Sequence, residues 1–128
     1  ATLAFLQARD IPLAAWAAAV GERLSRAWDE PEPWDAGEFL DAMLTNFCSL
    51  GGTVVSASLD DEEATAIIGG FPDPDLCALL GVDPADAARI YDVATPIATA
   101  RGLRWEWSHE GMQTRVVVRR FAANESQA

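Results

Sequence analysis

The stretch "LRWEWSHEGMQTRVVVRRF", residues 103–121, decides how the rest of the chain is read. Leu103, Trp105 and Trp107 alternate with Arg104, Glu106 and Ser108, the period of a strand with one apolar face. Met112–Phe121 reads as the return strand, which makes the stretch a hairpin. A three-residue loop at His109–Gly111 would set Trp105 against Arg115 and mix polarity within a face. A turn at Glu110-Gly111 instead sets Trp107 against Thr114, Trp105 against Val116 and Leu103 against Val118, and places Glu106 opposite Arg115. The apolar matching selects the second register, since a slip of one residue turns every side chain to the other face. Gly111 supplies the positive φ that a tight turn needs. His109 then falls beside the turn, in water.

Upstream, the same period returns in Thr53–Leu59 and Ala64–Ile68 around the acidic loop Asp60-Asp61-Glu62-Glu63. Pairing across that loop sets Leu59 opposite Ala64, Ala57 opposite Ala66 and Val55 opposite Ile68. The acidic run lacks the alternating ligands and distal glutamate of a calcium-binding EF-hand loop, so it reads as a solvated turn.

Helical periods fill the remainder. Thr2–Ala8 suggests a helical turn broken near Asp10. Pro12 opens a helix whose apolar stripe is Leu13, Trp16, Val20, Leu24 and Ala27. The two prolines of "WDEPEPW", residues 28–34, end it. Asp35 and Glu38 have the spacing of a capping box, and Phe39, Met43 and Phe47, beside Leu40, Leu44 and Cys48, mark a helix buried along a wide face. Cys48 and Cys77 each lie in an apolar pattern and read as small buried hydrophobes. Asp73-Pro74 and Asp83-Pro84 each read as an N-cap followed by a first helical residue, with Gly81 and Gly102 as the stops. The first of these helices is short, Pro74–Leu80; the second is expected over Pro84–Arg101, kinked by Pro96.

The order is helix, helix, hairpin, helix, helix, hairpin. It predicts an α+β fold: one domain over residues 1–128, with a four-stranded antiparallel sheet covered by helices on one face. About the last six residues read as a tail outside it. The order of elements loosely resembles that of the 4-vinyl-reductase-type small-molecule-binding domains of bacterial sensors. That resemblance implies a ligand-binding role and assigns no residues.

Charge narrows the partners. The net charge is −11, and the nine basic residues are all arginines. A field of this sign opposes phosphate backbones and anionic membrane surfaces, so neither nucleic acid nor membrane is an expected partner. No apolar run reaches the length of a membrane span and no signal-peptide pattern opens the chain, which suggests a cytoplasmic protein.

Catalytic signatures are sparse. Without lysine, Schiff-base chemistry is excluded, and with one histidine a His-paired nucleophile must use His109. His109-Glu110 lacks the second histidine of a zincin site, and Gly69-Gly70 lacks the lysine of a phosphate loop. No catalytic residue, metal site or cofactor is therefore expected. Glu106, flanked by Arg104, is the carboxylate to watch for acid–base chemistry.

Aromatic content against small residues stands out instead. There are five tryptophans in 128 residues. Trp105 and Trp107 share a strand face, and Ala57 and Ala66 are too small to fill the space opposite. An apolar pocket lined by Trp105, Trp107, Tyr91, Ala57 and Ala66 is expected beneath Pro84–Arg101. The leading expectation is a domain that binds or senses an apolar or aromatic small molecule. A protein–protein interaction or homodimerisation domain comes second, using tryptophans near Pro31–Trp34 and a free sheet edge. A small enzyme using carboxylates comes third.

Overall fold

The computed structural model describes residues 2–27 and 34–121. Expectations for Trp28, for Pro31 and for the tail at 122–128 lie outside the described residues. The elements are α1 (Thr2–Ala8), α2 (Leu13–Ala27), α3 (Ala36–Ser49), β1 (Thr53–Leu59), β2 (Glu63–Gly69), α4 (Pro74–Leu80), α5 (Pro84–Ala87), a 3₁₀ segment (Ala88–Val93), α6 (Ala94–Thr99), β3 (Leu103–Glu110) and β4 (Gln113–Arg120). The strands form one antiparallel sheet in the order β1-β2-β4-β3, and the fold is α+β as the sequence predicts.

The helices start where their caps dictate. Asp35 accepts from the Glu38 N–H at 2.7 Å while the Glu38 carboxylate takes the Asp35 N–H, a closed capping box. Asp73 and Asp83 cap α4 and α5, each followed by proline at the first helical position. Asp10 ends α1 in the left-handed region at φ 57°, a conformation aspartate tolerates.

One face of the sheet carries the core. Ala64, Ala66 and Ile68 of β2, Thr114, Val116 and Val118 of β4, and Leu103 and Trp105 of β3 are buried beneath Phe39, Leu40, Met43 and Phe47 of α3. α3 covers β1, β2 and β4, while α6 covers β3. β1 is exposed along its whole length, so Ala57 lies at the margin of the layer.

The first hairpin pairs Leu59 with Ala64 and Ala57 with Ala66, as expected. A bulge then intervenes, so Val54 and not Val55 stands opposite Ile68. The second hairpin turns at Gly111-Met112, and its pairs are Trp105–Val118, Trp107–Val116 and His109–Thr114, two residues from the expected register. The cause is the turn. Gly111 has φ 60° and Met112 does not have a positive φ, which fits a type II′ turn with glycine first rather than second. A slip of two preserves the faces. Glu106 accordingly faces Val117, not Arg115, and reaches Arg119 at 3.8 Å in an exposed ion pair of little energetic weight.

Two helical expectations are also corrected. Pro84–Arg101 is not one kinked helix: Pro96 lacks an N–H for the carbonyl four residues back, and the chain before it winds as a 3₁₀ segment. In α2 the buried line is Leu13, Ala17 and Gly21, with Trp16 and Val20 beside it and Leu24 exposed. A methyl group at Gly21 would overlap the Val93 carbonyl oxygen and stand 2.9 Å from Pro96 Cγ, so glycine is what lets α2 cross the 3₁₀ segment. Cys48 is exposed at the end of α3, whereas Cys77 is buried; both are free thiols.

Candidate functional site

The structure gathers three of the five expected site residues into one cluster. Tyr91 is fully buried, its ring 4.6 Å from Phe47 and 5.8 Å from Trp107 between centroids. Trp105 lies 6.3 Å from Phe47, and Phe71 closes the group beside Tyr91 at 5.9 Å. These rings occupy the space beneath the 3₁₀ segment. Ala66 belongs to the same core, but Ala57, exposed on the edge strand, is not brought to it.

The polar atoms of the cluster are engaged by the protein itself. The Tyr91 hydroxyl donates to the Phe71 carbonyl at 2.6 Å, Trp105 Nε1 donates to the Tyr91 carbonyl at 2.9 Å, and Trp107 Nε1 donates to Asp92 Oδ1 at 2.8 Å. The Tyr91 carbonyl, which also takes the Ala94 N–H at the end of the 3₁₀ segment, thus has an indole as a second donor. Burial pushes the Tyr91 phenol up to about 12, against the lowering effect of a hydrogen bond from Thr114, so at neutral pH it is a fixed donor.

His109 is half-buried rather than wet. Its Nδ1 is 2.9 Å from the Thr114 hydroxyl, and its Nε2 is out of solvent with no hydrogen-bond partner. Thr114 is fully buried. Among the described residues, no three His, Cys, Asp or Glu side chains are grouped to hold a metal ion.

An open apolar cleft lies elsewhere, where α1, α2 and α4 meet the end of α3. Its volume is about 290 Å³. Leu3, Ala4 and Trp16 line it from α1 and α2, while Cys77, Val82 and Ala87 come from the chain around α4 and α5. Leu50, Leu76 and Leu80 form its exposed rim, and Asp73 is the one charged side chain among the fourteen lining residues. Burial is the main influence raising the Cys77 thiol pKa, and Asp73 acts in the same direction, so the thiol stays protonated and poorly nucleophilic.

Sequence reasoning missed this cleft because its walls are short segments brought together only by tertiary packing. One signal was visible. Directly after the Asp73 cap, α4 reads Leu76-Cys77-Ala78-Leu79-Leu80, apolar on all sides in a seven-residue helix. A surface helix normally keeps one polar face.

Among the described residues, no helix is long and apolar enough to cross a membrane. No protein-family model matches the chain, and no curated protein or solved structure matches it.

Proposed function

We propose that the protein is a small-molecule-binding domain whose ligand, apolar and of modest size, occupies the cleft between α1 and α4. The observation that carries the reading is an open, almost wholly apolar cavity of about 290 Å³ whose rim leucines remain exposed. Ligand sites are concave, mostly apolar and furnished with few polar groups, and this one is at the small end of their range of roughly 300–1,000 Å³. The expected walls Trp105, Trp107 and Tyr91 act as the rigid floor of the fold and not as the ligand's contacts. Both thiols being free accords with a reducing, cytoplasmic setting.

Ala4→Leu tests the reading, since Ala4 is a part-buried wall residue on α1 with the cleft in front of it. A neutral naphthylamine dye should gain fluorescence in the wild-type cleft and not in the variant, with thermal stability unchanged or slightly raised. Equal dye binding by the two proteins would place the apolar site elsewhere.

A second reading is self-association through β1. This edge strand, Thr53–Leu59, carries a bulge between Val54 and Ser56 but no charged residue and no proline of the kind that keeps edges apart. Antiparallel pairing with a second copy would oppose no like charges along the strand. Sedimentation of the wild type against Ser56→Lys measures it directly, a dimer in the first and a monomer in the second being the supporting result.

A further inference from the structure

Resting on the cleft reading, we propose that the site selects hydrophobic cations, alkyl amines being the simplest, over neutral or anionic molecules of the same shape. Asp73 is the only charged side chain of the wall among the described residues, and no arginine contributes to it there. Its Oδ1 accepts both cap hydrogen bonds, from the N–H groups of Asp75 at 2.9 Å and Leu76 at 3.3 Å. Oδ2 accepts none among the described residues and remains for a ligand donor. Leu3, Trp16 and Val82 of the same cleft offer the surface on which an alkyl or aryl body would lie.

The surrounding charges act in the same sense. Asp75 lies in the first turn of α4, and Asp83 and Asp86 stand at the start of α5. The N-termini of these helices oppose a cation, but each is equivalent to at most about half a positive charge. Four carboxylates outweigh two such ends and the N-terminal ammonium together. The field reaches the cavity wall: at the Cys77 thiol Asp73 and Asp83 add to the effect of burial, and the N-terminal ammonium opposes them with an effect smaller than that of Asp73. The net charge of −11 extends the preference to longer range, favouring the approach of cations and opposing carboxylates.

Octylamine, octanol and octanoate share a body and differ in head group, which makes them suitable probes below their micelle-forming concentrations. Calorimetric titration of the whole chain at neutral pH should give octylamine an affinity about tenfold above octanol, with octanoate weakest. Added salt should shrink the advantage of the amine. Asp73→Asn keeps a competent helix cap while removing the charge, so it should bring octylamine close to octanol and leave octanol unchanged. If octanol binds as tightly as octylamine, or if Asp73→Asn leaves the amine preference intact, charge selection is overturned while the cleft stands. If none of the three binds, octanol included, the cleft reading itself falls.

Discussion

Trp105 Nε1 donates to the main-chain carbonyl of Tyr91 at 2.9 Å, so a strand on one layer completes the hydrogen bonding of an irregular turn in the other. The carbonyl belongs to the 3₁₀ segment that precedes Pro96, and it is buried with Tyr91 itself. The Ala94 N–H also reaches this carbonyl, so the indole adds an ordinary hydrogen bond, which contributes about 0.5–1.5 kcal/mol. Trp105→Phe keeps an aromatic ring and removes the donor, so it should lower stability by about that amount. Urea unfolding checks it; a loss under about 0.5 kcal/mol would show that another donor takes over.

Tyr91 gives stability a dependence on alkaline pH. Its phenol titrates near 10 when unfolded and is pushed up to about 12 in the fold. Between these values the unfolded chain has released the proton and the folded chain has not. Stability is therefore full below pH 10 and falls as pH rises toward 12, by about 2–3 kcal/mol. Tyr91→Phe should flatten this part of the profile, while costing about 1–2 kcal/mol at neutral pH through loss of the bond to the Phe71 carbonyl.

Gly21→Ala should cost about 2 kcal/mol or more, because the added methyl overlaps the Val93 carbonyl oxygen and presses on the Pro96 ring. In an exposed helix the same change would be stabilising by about 0.5–1 kcal/mol. The sign measured by thermal unfolding thus decides whether α2 truly contacts the 3₁₀ segment.

The second hairpin separates its two critical residues. Gly111 has φ 60° with nothing within 4 Å of an added Cβ, so Gly111→Val acts by backbone strain alone and should cost over about 1 kcal/mol. His109→Ala removes the hydrogen bond to Thr114 and should cost about 1 kcal/mol, more than a solvated residue would. A neutral His109→Ala would return the ring to water and remove it from the buried polar group.

Local rules were legible in the sequence and tertiary ones were not. Asp35, Asp73 and Asp83 cap as their spacing indicates, because a cap depends only on the next three residues. Trp105 points inward as its alternation requires, yet its partner is Val118 and not Val116, since turn type sets register and two turn types offer the same faces. Cys48 follows the apolar period of α3 but is exposed in the helix's last turn, a limit no sequence period records. Ala57 has the right parity and the wrong place, because alternation does not say which strand is the edge. Of the candidate site, sequence identified the aromatic cluster as a unit; that its own donors saturate it follows only from the position of the 3₁₀ carbonyl.

The strand order β1-β2-β4-β3 joins the two hairpins through their return strands, Ala66 pairing with Val116 fifty positions along the chain. Each hairpin closes over a short loop, whereas this seam must close a long one, at an added entropic cost of about (3/2)RT ln n. The two hairpins should therefore close before they join, and the joining sets the pace of folding. Parting the seam would lay bare Ala64, Ala66, Val116 and Val118, and would also strip α3 from β4 and α2 from the 3₁₀ segment and α6, so the sheet and the helices are fastened across the same divide.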